Sequence, residues 1–188
     1  RLPMFLESAL QRIHWGTGAP LPCSPLRVRA MRTAADVVIT DGAGALPADY
    51  LELDQVIVPT DPPVHPTYVE PHTFRSQRST AATGYPGRYT IEGTTILLDP
   101  PLASQTINIA YYAKFATPSD DADTNWLMAN APTVLFQALR VEAYDFLRNA
   151  EMMQTAFARY KSAVEGIVAR DVAAKASGGP LYPRLKSF

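Results

Sequence analysis

The sequence predicts an α+β protein: an antiparallel helical bundle, made of an N-terminal helix plus a C-terminal helical hairpin, with a β-rich insertion or meander. Three observations predict it. Residues 84–115, GYPGRYTIEGTTILLDPPLASQTINIAYYAKF, read as three short strands joined by turns. Nearly everything after them carries helical periodicity, and one amphipathic stripe precedes them at the N-terminus. The resulting division places a helical bundle at 1–16 and 125–176, a β-rich insertion at 26–116 and an extended C-terminal arm at 177–188.

Leu2, Phe5, Leu6, Ala9, Leu10 and Ile13 recur at steps of three and four, one face of a helix. Gly16, Gly18 and Pro20 end it near His14. Arg27–Met31 and Val37–Thr40 read as strands separated by a polar break at Arg32–Asp36, with a turn at Asp41–Gly44. Leu53–Val58 reads as a strand, and Pro71–Ser79 as a short helix with Phe74 its large apolar anchor. Tyr89–Glu92, Thr95–Asp99 and Thr106–Tyr112 form the meander, with Ile107, Ile109 and Tyr111 alternating onto one face. Asn130 suits an N-cap and Pro132 the first turn of the next helix. The buried stripe of that helix reads as Leu135, Phe136, Leu139, Ala143, Phe146 and Leu147. The closing helix, Glu151 to Ala176, buries Met153, Phe157, Tyr160, Val164, Ile167 and Val168, with Lys161–Glu165 and Asp171–Lys175 as four-apart ion pairs. Gly178 and Gly179 stop it.

Composition narrows the function. The 188 residues suffice for a sizeable core, and 47% apolar with 19% charged is ordinary for a globular chain. A net charge of −1 argues against a duplex-binding surface. The single cysteine, Cys23, excludes an internal disulfide, and no apolar run approaches the ~20 residues that span a bilayer. No signal-peptide pattern is visible.

Chemical motifs are weak. Asp121, Asp123 and Asn125 match the first ligand positions of a calcium loop, but its glycine and glutamate positions hold Trp126 and Pro132. Gly42 and Gly44 hint at a dinucleotide loop with Pro47 at the third glycine position and no βαβ unit around it. His14, His65 and His72 share no metal-ligand spacing. The sequence supplies no catalytic constellation, and the expectation is no enzyme, no cofactor and no metal. The tail is different: Leu181, Tyr182, Leu185 and Phe188 on a terminus without periodicity point to docking on a partner or neighbouring subunit.

An ordered set of segments resembles bacteriophage head–tail connector proteins, the adaptor or head-completion family. Leu46-Pro47-Ala48-Asp49-Tyr50-Leu51 is similar to the family's LP-x-D-[FY]-L segment. Gly84 to Gly93, then Ile96 to Pro101, then Ile109-Ala110-Tyr111-Tyr112, is similar to its P-x-x-Y-x-I-x-G, I-x-L-x-P and L-x-Y-Y run. Asn125 to Met128, Leu139 with Glu142 and Ala143, and the helix around Tyr160 extend the likeness, which covers roughly residues 46–170. Glu7 to Ile13 matches the family's A-E-x-R-I helix loosely, and Trp15–Pro25 has no counterpart. The resemblance implies a homo-oligomeric ring, typically twelve copies, beneath the portal protein. Such a ring joins head to tail, contacts a tail or nozzle protein and extends the channel through which genomic DNA slides unread. It implies a place in the virion neck, after assembly in the host cytoplasm, and no membrane. It makes Leu181, Tyr182, Arg184, Leu185 and Phe188 a portal-side or neighbour-docking arm. Two other readings remain open from the residues themselves. One is a tail-associated ligand-binding β module with an aromatic patch of Tyr85, Tyr89, Tyr111 or Tyr112. The other is a small metal-dependent hydrolase built on His65 and His72.

Overall fold

A computed structural model describes residues 2–16, 21–78, 84–118 and 123–176 of the chain. They fall into two compact units, Met31–Lys114 and the segments Arg1–Ala30 with Phe115–Phe188.

The first of these is a seven-stranded mixed sheet in the order β3-β7-β1-β2-β6-β5-β4. Its strands are β1 (Arg32–Thr40), β2 (Ala43–Ala45), β3 (Tyr50–Ile57), β4 (Thr67–Tyr68), β5 (Arg88–Glu92), β6 (Thr95–Asp99) and β7 (Ser104–Ala113). The longest ladder is β1 against β7, antiparallel from Arg32 opposite Tyr112 to Thr40 opposite Ser104. Alternation along it sends Val37, Ile39, Ile107, Ile109 and Tyr111 into one core with Val56, Val58, Ile96 and Leu98. The β1–β2 hairpin turns on Asp41 and Gly42, both at positive φ, the two-residue turn whose twist matches that of paired strands. At Gly44 a Cβ would lie 2.5 Å from Ile39 Cδ1 and 2.7 Å from Val37 Cγ1, so only glycine lets β2 lie this close. The sheet curls. Tyr50 on β3 and Tyr89 on β5 pack on the same core although they stand near opposite margins of the strand order. Burial first, then the nearby Tyr89, Glu52 and Tyr68, raise the Tyr50 phenol above its ordinary value against a hydrogen bond with the Leu53 backbone. A short helix, α2 (Pro71–Gln77), lies against β5 with Phe74 buried.

The second unit holds α1 (Leu2–Trp15), a 3-10 turn at Arg29–Met31 that straddles the boundary, α3 (Trp126–Asn130), α4 (Pro132–Phe146) and α5 (Ala150–Ala176). Helix α4 packs on both α1 and α5. From α5, Met153, Ala156, Tyr160 and Val164 turn inward. Arg12 is 2% exposed, ion-paired through Nε to Glu142 at 2.7 Å, and donates through Nη1 to the Leu21 carbonyl at 3.0 Å. Tyr160 is fully buried with Cys23 Sγ 3.8 Å from its hydroxyl; burial, then Cys23, pushes its phenol far above its usual range.

The expected fold class is corrected. The chain is not a helical bundle carrying a small β insertion: 28% strand against 43% helix makes the sheet a principal element. Two pairings hid its size. Arg32–Asp36, expected as a polar break, is the first half of β1, its charges met across strands by Asp54 and Asn108. The expected meander also breaks up, because β6 pairs β2 and β5 while β7 crosses to β1 and β3. Arg27–Met31 is not a strand; its last three residues form the 3-10 turn. Asn130 closes α3 rather than capping α4, whose N-cap is Ala131.

The packing sets two measurable expectations. Tyr160→Ala empties a fully buried site and should cost roughly 3–5 kcal/mol in urea unfolding; a loss below about 1 kcal/mol contradicts its placement. Tyr111 donates to Asp49 Oδ1 at 2.9 Å, and burial, then that carboxylate, pushes its phenol from 10.0 up to about 12. Its folded pKa is raised, so the contribution is complete below pH 10.0 and is lost as pH climbs from there through about 12. Tyr111→Phe should therefore lower stability at neutral pH by about 1.5–3 kcal/mol and flatten its fall above pH 10, which unfolding titrations across that range would read.

Candidate partner-binding surface

Helix α4 is apolar on two sides. Val134, Leu135, Ala138 and Val141 are buried, as one helical stripe should be. Phe136, Arg140, Tyr144 and Leu147 succeed one another at steps of four, four and three along another face. Phe136 is 58% and Leu147 66% exposed. The Arg140 guanidinium lies 5.7 Å from the Phe136 ring centre and 5.4 Å from that of Tyr144, and donates through Nη2 to the Tyr144 hydroxyl at 2.9 Å. One arginine thus bridges the exposed Phe136 ring and the half-buried Tyr144, which packs on the Val141–Met153–Ala156 core, each cation–π contact worth about 0.5–1 kcal/mol when wet. Phe146, half exposed, meets Phe5 of α1 edge-on at 5.6 Å.

The ladder ends at the α4–α5 corner. Arg148 takes positive φ there, and Asn149 Oδ1 accepts the Met152 N–H at 3.1 Å, capping α5. A cavity of about 270 Å³ opens at this corner among Tyr144, Asp145, Arg148, Asn149 and Met153. Behind the ladder, the Arg12–Glu142 pair fixes α4 against α1.

A second cavity, about 300 Å³, lies beside the last turns of α5. Val28, Ala30, Trp126 and Ile167 supply apolar walls, with Asn130 and Arg170 among its polar lining. Trp126 is held flat against Phe115 at 5.6 Å, and the Phe115 N–H donates to buried His14 Nε2 at 3.0 Å. Asp171 also lines the cavity, 3.0 Å from Arg29 Nε and 3.0 Å from Lys175 Nζ. Burial works to raise its carboxyl, but the Lys175 and Arg29 hydrogen bonds outweigh that and hold it below the usual carboxylate range.

The sequence-predicted sites fare unevenly. Leu181, Tyr182, Arg184, Leu185 and Phe188 lie outside the described residues, as does Asp121 of the calcium-like run. Asn125 of that run caps α3: its Oδ1 accepts the Met128 N–H at 3.0 Å, and its Nδ2 donates to the Ala116 carbonyl at 2.9 Å. His65 lies 3.4 Å from Gln55 Nε2, and among the described residues no three His, Cys, Asp or Glu side chains converge as a metal site. Of the tyrosines expected in an aromatic patch, Tyr85 is exposed, Tyr89 and Tyr112 are half-buried and Tyr111 is core. Phe136, Phe146 and Leu147, which helical spacing assigns to the inside, stand outside. The signal that could have placed them is the double stripe: a helix with two apolar faces has more than its own core to meet.

A family model described as SU10 adaptor protein matches residues 1–184. No curated protein matches the chain.

Proposed function

The chain belongs to the SU10 adaptor protein family, and from that premise we propose that it joins the phage head to the tail as a ring beneath the portal. Membership makes it a phage adaptor, a structural component of the virion and of its assembly. The match across residues 1–184 carries the reading. Beyond it, the proposed assembly has twelve copies in the neck, a portal protein on one side, a tail or nozzle protein on the other and the DNA channel through the middle. The near-neutral net charge of −1 suits a channel in which DNA must not stick. The work proposed is done by interfaces rather than by catalysis. The outward ladder on α4 suits a contact between neighbouring copies, since aromatic side chains and arginine are the residues in which interface energy concentrates. In the assembled particle the arm Leu181, Tyr182, Arg184, Leu185 and Phe188 reaches the portal or a neighbour.

Two experiments test this. Mixing the full chain with its cognate portal protein and imaging by cryo-electron microscopy should show a closed ring seated on the portal; a chain that stays monomeric and leaves the portal bare rejects the proposal. Phe136→Ser with Leu147→Ser should cost no more than about 1 kcal/mol in unfolding, the loss of one exposed cation–π contact. The same pair should abolish ring formation on the portal, and a double variant that still closes the ring removes α4 from the interface.

A further inference from the structure

We propose that the cavity beside the last turns of α5 is a docking site for an acidic segment of a partner protein, one that sets a large apolar side chain next to its carboxylates. At about 300 Å³ the cavity lies at the lower limit of small-molecule sites, about 300–1,000 Å³, and so suits one or two side chains of a peptide. Its apolar walls are Val28, Ala30, Trp126 and Ile167. Trp126 is stacked flat on Phe115 at 5.6 Å and Val28 is buried, so both are fixed before any partner arrives. Little ordering of the wall is left for an incoming side chain to impose.

The charges around the cavity choose the partner. Asp171 is the one carboxylate in the lining, and it is already satisfied within the chain. Arg29 donates to its Oδ1 through the backbone N–H at 3.2 Å and through Nε at 3.0 Å, and Lys175 Nζ lies 3.0 Å from Oδ2. The Asp171 side chain is only 12% exposed, whereas Arg29 and Lys175 are each about half exposed. What faces solvent is therefore cationic. Arg170, exposed and also in the lining, makes no side-chain hydrogen bond or ion pair among the described residues. Its planar fork matches a carboxylate in bidentate geometry. Three cations, Arg29, Arg170 and Lys175, thus stand around one covered carboxylate, an arrangement that draws in an acidic chain and repels a basic one. A nucleic-acid phosphate would meet Arg170 but leave the apolar walls unfilled. An acidic peptide with Leu or Phe beside its carboxylates uses both.

The test uses the full chain with Trp15→Phe, which leaves Trp126 the sole tryptophan, and a synthetic acetyl-Asp-Glu-Phe-Glu-Asp-amide peptide that carries none. Titrated at low salt, this peptide should change Trp126 emission saturably. Adding Arg170→Gln, an exposed substitution that should leave the circular dichroism unchanged, should weaken binding about tenfold, the loss of one charge-assisted hydrogen-bonded pair. Alanine in place of the peptide's central phenylalanine should weaken it by about the same factor, the loss of one buried apolar side chain. A peptide with lysine at all four acidic positions should give no saturable change. Emission that ignores the acidic peptide, an Arg170→Gln chain that binds it as the parent does, or an alanine-centred peptide that binds equally well overturns the proposal. So does a single-stranded oligothymidylate that binds more tightly than the acidic peptide. None of these readouts involves the portal. A chain that binds the peptide but never assembles rejects the ring alone, and a ring-forming chain that ignores the peptide rejects the docking site alone.

Discussion

Pairing of β1 with β7 is the constraint on which the sheet unit depends. These strands are far apart in sequence, yet they carry the longest ladder and supply Val37, Ile39, Ile107, Ile109 and Tyr111 to the core. On its outer side β7 holds β3, and through its hairpin β1 hands the sheet on to β2, then β6, β5 and β4. Without this one ladder the two halves of the sheet share no strand. Bringing Thr40 to Ser104 closes a long loop, whose entropic cost grows only slowly with length. The apolar alternation on both strands offsets that cost, because a one-residue slip would turn every one of those side chains out of the core. Arg32 opposite Tyr112 also sets the strand that opens the unit beside the strand that closes it.

In the helical unit the corresponding role falls to a buried charge. Arg12 interrupts the apolar stripe of α1 and is almost wholly buried, so it must be paired. Glu142 of α4 and the Leu21 carbonyl satisfy it. An ion pair of this kind contributes little net stability compared with an apolar pair of the same volume, because desolvation offsets much of the attraction. Its effect is on register: α1 slid by one turn on α4 would leave a guanidinium buried without its carboxylate. The same logic operates at His14, whose Nε2 accepts the Phe115 N–H and so fixes where the chain resumes after the sheet. The α4 ladder is presented from this braced framework.

What was legible in the sequence was local. The α1 and α5 stripes, the β5–β6 hairpin at Gly93–Thr94 and the anchor Phe74 all rest on patterns contained within a few turns or strands. What escaped depends on partners distant in the chain. Arg32 and Asp36 look like a break because their partners, Asp54 and Asn108, stand on other strands. The crossing of β7 to β1 leaves no mark in either strand, since alternation tells which face is buried and not which strand lies alongside. On α4, both stripes have helical spacing, and Val134, Ala138 and Val141 are smaller than Phe136, Phe146 and Leu147. Size favoured the wrong face. Leu135 joins these smaller residues on the inner face, where α4 meets α1 and α5, so facing rather than size decides which residues are buried.

That inversion bears on function. A helix that gave its largest apolar side chains to its own core would have no reason to keep Phe136 and Leu147 in water. Scattered exposed apolar residues need no explanation, but Phe136 ordered beside Tyr144 by Arg140 does. Arg140 lowers the cost of ordering the rings, because Phe136 and Tyr144 are already held in one geometry before any partner arrives. Binding energy at protein interfaces concentrates in such preorganised aromatic and arginine anchors. A protein whose work is assembly can keep its stability in one face of a helix and its contacts in another. In α4 the inward face carries Val134, Leu135, Ala138 and Val141, and the outward one carries Phe136.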